Sequence, residues 1–185
     1  MPLVTDNTER HVRRWLRDFV VALNLCPFAR PLLGAANLRI AVCEQDSTDD
    51  LRRTLLQELD LLQRSTEQDV ATTLVVFPQA LRSFEDYLQF VDQAQDLLVE
   101  SGLESIVQLA SFHPQYLFAG EHPEAASHFS NRAPYPLIHL LREDMVSRAL
   151  LDVADPEQIP NRNIEALSAI GVDELERRWQ GLFVR

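Results

Sequence analysis

The chain contains no lysine, and all 17 of its basic side chains are arginine. Schiff-base chemistry, the lysine of phosphate-binding loops and lysine general bases are thereby excluded. The absence needs no functional cause, since a base-composition bias in the encoding genome suffices and the two residues are interchangeable except at bidentate or stacked sites. Cysteine is nearly as scarce: Cys26 and Cys43 read as thiols rather than as a structural bridge, and point to the cytoplasm. No apolar run approaches the ~20 residues of a membrane span. The polar start, Met1 to Arg10, lacks the charged-then-apolar pattern of a secretory signal. No basic run is present either, and 28 acidic residues set the formal net charge at −11, which repels phosphate backbones and anionic lipid. Neither nucleic acid nor a membrane is an expected partner. Internal repeats, low-complexity stretches and linkers are also missing.

What is present fits one domain over 1–185, because a hydrophobic fraction of 46% fills a core of this size without metal or disulfide help. Val12, Trp15, Leu16, Phe19, Val20 and Leu23 recur at helical spacing and predict an amphipathic helix from Asn7 to Leu23, ended near Cys26-Pro27. Leu38 to Glu44, Ala71 to Phe77 and Ser105 to Phe112 read as strands. Between them lie helices over Thr48 to Arg64 and Ser83 to Glu100, the second opened by the capping box Ser83-Phe84-Glu85-Asp86 and closed at Gly102. A fourth strand is predicted over Leu137 to Leu141, then helices near Glu143 to Val153, Asn163 to Ile170 and Asp173 to Gly181. The expected fold is α/β or α+β: a βαβαβ unit, a long loop, and a small four-stranded mixed sheet covered by helices, with parallel pairing implied by the crossovers.

Four of the five histidines fall between His113 and His139, in a stretch rich in proline and aromatic residues. The loop from His113 to Pro136 is longer than connections in compact domains usually are, and Tyr116, Phe118, Phe129 and Tyr135 argue against disorder. It leaves the end of the third strand, where open α/β sheets tend to bind ligands. His113, or His139 on its leucine-flanked strand, are candidates to move a proton, and a strand histidine of this kind reads equally as a hydrogen-bonded core residue. Cys26 is a candidate nucleophile if a neighbouring cation lowers its pKa, and otherwise a small buried hydrophobe. Asn131, Arg132 and Tyr135, with Arg162 and Asn163 at a predicted helix start, are candidates to hold an anion; ordinary capping and surface ion pairs are the plainer reading.

Two binding alternatives accompany these. His113, His122 and His128 with Glu121 or Glu124 supply metal-ligand types, though at separations of nine and six residues that match no compact ligand unit, and no metal site is assigned. Cys26-Pro27 has the form of a haem-responsive pair but is too common to carry weight. No cofactor is identified, and the histidines are also explained if they brace the loop.

The stretches Leu23 to Ala29, Ser111 to Tyr116, Asn131 to Glu143 and Ile159 to Asn163 resemble a family of bacterial proteins catalogued only as a domain of unknown function. The resemblance spans nearly the whole chain. It implies that these stretches are the family's signature and that the chain is a complete member; it supplies no activity, cofactor or catalytic residue. The functional expectation is a cytoplasmic hydrolase or transferase acting on a small anionic metabolite, held by Arg132 and Arg162 and worked on by His139 or His113 with Cys26. The alternative is a metal- or haem-binding protein or an interaction module.

Overall fold

A computed structural model describes residues 4–184. Met1 to Leu3, part of the stretch read above against a secretory signal, and Arg185 lie outside the described residues. The chain runs through α1 (Val4–Trp15), which continues as a π-helical turn over Leu16–Val21, α2 (Ala29–Leu32), β1 (Leu38–Val42), α3 (Thr48–Arg64), β2 (Thr72–Val76), α4 (Phe84–Glu100) and β3 (Val107–Phe112). Then follow a 3-10 turn (Ala126–Ser130), β4 (Leu137–Arg142), α5 (Glu143–Leu151), a second 3-10 turn (Pro156–Gln158), α6 (Ile159–Ile170) and α7 (Val172–Gly181).

The four strands form one mixed sheet in the order β1-β2-β4-β3. β1 and β2 pair in parallel across α3, as the crossover implies. β2 and β3 do not pair, because β4 lies between them, antiparallel to both. The reason is visible in burial. β4 carries Leu137, Ile138 and Leu140 fully buried, so both of its faces need cover, whereas β3 is buried mainly at Val107 and tolerates the edge.

Helices cover the two faces of the sheet. Leu51, Leu55, Leu59 and Leu62 of α3 and Tyr87, Phe90, Ala94 and Leu98 of α4 pack on Val75, Ile138 and Leu140. Trp15, Phe19 and Val20, with Leu167 of α6 and Leu175 of α7, pack on Leu74, Val76 and Leu137 of the opposite face. The Ser83 cap forms, its hydroxyl accepting from the backbone N–H of Asp86 (3.4 Å), and Ser47 caps α3 in the same way, accepting from Asp50 N–H (3.2 Å). At the end of the β3–β4 ladder, the buried Tyr87 hydroxyl accepts from Phe112 N–H (2.7 Å) and donates to Leu137 O (2.8 Å), tying α4 to the point where the long loop departs. α6 begins four residues before its predicted start, because Pro160 sits in its first turn, where a missing N–H leaves nothing unpaired. Among the described residues, no helix is long and apolar enough to cross a membrane.

Candidate functional site

The sheet face beneath α1 and α6 is not completely filled. Between them lies a cavity of about 580 Å³, within the range that small-molecule sites occupy. Its floor is a grid of cross-strand neighbours: Leu38 beside Thr72 and Thr72 opposite Leu141, then Leu74 opposite His139. Trp15 at the end of α1, with Leu16 and Val20 of the π-helical turn, forms one wall, and Phe112, Phe118 and Glu121 form another. Further lining comes from Leu25 to Leu33, from Ala119 and the 3-10 turn with Asn131 in the long loop, from Met145 of α5 and from the start of α6.

The π-helical turn fixes how the Cys26 segment enters this wall. After Val21 the chain reverses through Asn24 in the left-handed region (φ +54°), and Leu25 N–H returns to Val20 O (2.9 Å). Asn163 of α6 then donates its side-chain N–H to Leu25 O (2.8 Å), which locks α6 to that segment. Cys26 is thereby held half-buried in the cavity wall. Burial pushes its thiol up, partly offset by backbone N–H groups of Phe28 and Ala29, so the protonated form is favoured at neutral pH.

His139 projects from the middle of β4 into the same cavity. Its Nε2 lies 2.6 Å from Thr72 Oγ1, and the Thr72 hydroxyl donates to Leu140 O, also at 2.6 Å. Burial alone pushes the imidazole down to about 4, so it is neutral at pH 7. Asn131 also lines the cavity, its side chain donating to Ser111 O (3.0 Å) and accepting from Ser130 Oγ (2.9 Å). Two further lining residues, Trp15 and Ser127, carry buried polar atoms, Nε1 and Oγ, with no hydrogen-bond partner.

Of the candidate catalytic and anion-binding residues named from the sequence, then, Cys26, Asn131, His139 and Asn163 meet at one cavity. His113, Arg132, Tyr135 and Arg162 do not line it. His113 is fully buried against Phe84 and Tyr87 of α4; its Nε2–H donates to Leu81 O (3.0 Å) and its Nδ1 accepts from Gln115 N–H (3.0 Å). Arg132 lies 4.5 Å over the Phe129 ring. The Tyr135 hydroxyl sits 2.8 Å from His11 Nδ1, beside Phe183. Arg162 is solvent-exposed in the first turn of α6. The two arginines are therefore not joined on one anion.

The metal alternative meets the same obstacle. His128 donates from Nε2 to His122 O (2.9 Å) and accepts at Nδ1 from Phe118 N–H (3.1 Å), so like His113 it has no nitrogen left for a ligand. His122 Nδ1 accepts from Glu124 N–H (3.2 Å). Among the described residues, no three His, Cys, Asp or Glu side chains gather closely enough to hold a metal ion.

Sequence reasoning missed Thr72 and the π-helical wall. Thr72 reads only as a polar residue in a buried strand, and its meeting with His139 depends on β2–β4 pairing that no local spacing announces. The one available signal for the wall was that Trp15, Leu16, Phe19 and Val20 make a wider apolar stripe than one helix face needs.

A family model described as a protein of unknown function (DUF1415) matches residues 7–177. No curated protein and no solved structure matches the chain.

Proposed function

The chain belongs to the DUF1415 family, whose description assigns no activity, and from the geometry of its cavity we propose that it binds a small, uncharged, largely apolar molecule. The observation that carries this reading is the lining: aliphatic and aromatic walls around neutral polar groups, among them Cys26, Thr72, Ser127, Asn131, His139 and Asn163, with no arginine. Glu121 is the one acidic residue of the lining. An anion would leave water without a cationic partner, at a cost of several kcal/mol, whereas an apolar body gains about 25 cal/mol for each Å² it buries. The two free thiols fit a cytoplasmic site of action, and the acidic balance keeps nucleic acid and anionic membrane outside the proposal.

The test is a titration of isotope-labelled protein with toluene and with benzoate, read at the backbone amides of Cys26, Thr72 and His139. Toluene moves these signals saturably, benzoate does not, and Ala119→Trp, which fills the cavity from its loop wall, abolishes the response. Toluene without effect on those amides, or benzoate binding as well as toluene, sinks the reading.

A second reading, hydrolysis or group transfer, is favoured by a thiol and a neutral imidazole lining the same cavity. In it His139 accepts a proton and Cys26 is the nucleophile. Turnover of a neutral aryl ester that is lost in both Cys26→Ser and His139→Gln supports it. Turnover that survives in Cys26→Ser removes the nucleophile.

A further inference from the structure

Three histidines near the cavity or in the loop above it can be compared by what each ring nitrogen meets, and the comparison isolates one unused valence. In His113 and His128, Nε2 faces a backbone carbonyl, which can only accept; Nε2 must carry the proton, and Nδ1 takes a backbone N–H. Both rings are saturated. His139 faces a threonine hydroxyl, which could in principle give or take. The ambiguity is removed one bond further on. Thr72 has a single hydroxyl proton, and its second partner, Leu140 O, can only accept. That proton is committed to Leu140 O, so Thr72 Oγ1 receives from His139 Nε2–H.

His139 Nδ1 then carries a lone pair, and it has no hydrogen-bond partner among the described residues. Nor is it sealed in the wall: the buried side-chain polar atoms without a partner are those of Trp15, Thr73, Ser127 and Trp179. The residue lines the cavity, so the lone pair is presented to whatever occupies it.

We propose that Thr72 is the positioning residue that holds His139 as the Nε2–H tautomer, and that the cavity's ligand is an uncharged apolar molecule carrying a hydroxyl or N–H group donated to His139 Nδ1. The ligand class rests on the reading that the cavity binds an apolar molecule; the tautomer does not. An alcohol, a phenol or a neutral amide meets the requirement. An ether, a pure hydrocarbon or a tertiary amide leaves Nδ1 unpaired in a site from which water has been displaced. A carboxylate adds a second repulsion, because its oxygens face a lone pair. The neutrality of the imidazole at physiological pH agrees with its role as acceptor.

Two measurements decide the proposal separately. The first needs no ligand: nitrogen-15 chemical shifts of the histidine side chains report which ring nitrogen holds the proton. Wild-type protein at pH 7 shows His139 with Nε2 protonated and Nδ1 bare; Thr72→Val gives a mixture of tautomers, and Thr72→Ser restores the single form. Protonated Nδ1 in the wild type overturns the assignment, and an unchanged single tautomer in Thr72→Val overturns the role of Thr72. The second measurement is the ratio of phenol to toluene affinity. It falls about tenfold in His139→Leu, the size of one net hydrogen bond. A ratio unchanged by that substitution refutes the donor requirement while leaving the cavity as a site. If neither compound binds, the apolar-site reading fails together with the ligand class, and the tautomer result stands on its own.

Discussion

Acid should cost this protein stability through His139 in a way that one substitution exposes. The imidazole is pushed from the usual 6.5 down to about 4 by burial alone. Above pH 6.5 it is neutral in folded and unfolded chains alike and imposes no penalty. As the pH falls from 6.5 toward 4, the unfolded chain takes up a proton that the folded protein refuses, and stability drops by about 1.4 kcal/mol per pH unit. Below the folded value both states are protonated and the loss levels off at roughly 3 kcal/mol. At pH 5 about 2 kcal/mol of it has been incurred.

His139→Gln provides the reference, since the amide is neutral throughout and the many carboxylates, together with His11 and His113, titrate in both proteins and cancel. Urea unfolding of both proteins at half-unit steps from pH 7.5 to 4.5 gives the difference in unfolding free energy. The substitution costs stability at pH 7.5, where the histidine makes its hydrogen bond to Thr72, and that cost shrinks by about 2 kcal/mol by pH 5. For a chain of this length the same change appears as a relative displacement of roughly 4–8 °C in melting temperature. A gap between the two proteins that stays constant over the whole range would show that His139 titrates near its ordinary value and that the cavity around it is wet.

Tyr87→Phe orphans Phe112 N–H and Leu137 O together, and at about 1–3 kcal/mol for each buried group it should destabilise by about 2–6 kcal/mol in urea unfolding; a loss under about 0.5 kcal/mol contradicts the bridging role. Arg142 donates to Val70 O (2.9 Å), Leu62 O (2.7 Å) and Ser65 O (2.8 Å), so Arg142→Lys, which keeps the charge and loses the fork, should cost about 1–3 kcal/mol by the same assay. Neutral behaviour there would mean that charge alone suffices. Alkylation of Cys26, followed by mass spectrometry, should be slow at pH 7 and accelerate steadily as the pH is raised through the ordinary thiol range, because burial favours the protonated thiol. Fast labelling below pH 7 refutes that and restores a stabilised thiolate.

The helices and strands were legible wherever a segment's own residues decide its state. Thr48–Arg64 carries its cap, its leucine stripe and its last turn in local sequence, and it forms over those residues without adjustment. Sheet order was not legible in the same way. β4 enters between β2 and β3 because Ile138 and Leu140 need burial on one face while Leu137 needs it on the other, and that demand is met only by neighbours distant in the chain. The first helix shows an intermediate case: its apolar spacing predicts the helix, but not the widening to π geometry at Leu16–Val21, where Leu16, Phe19 and Val20 are buried.

For the site, the difficulty lies in the valence of histidine. Clustered histidines in a proline-rich loop suggest chemistry because each brings two nitrogens, yet a loop that long must also satisfy many backbone groups away from regular structure. His113 and His128 serve that second need completely, one by fastening Leu81 and Gln115, the other by fastening His122 and Phe118. His139 lies in a regular strand whose own ladder satisfies its backbone, so its ring is not consumed in holding the chain. One nitrogen suffices for Thr72, and the other is left over. The feature that marks a histidine for function here is therefore not proximity to other histidines in sequence but residence in an element that needs nothing from its side chain. That distinction is partly readable in advance: a histidine alternating with leucines in a strand is a better candidate than one preceding a proline in a loop, because the proline loop has unpaired backbone groups competing for the ring.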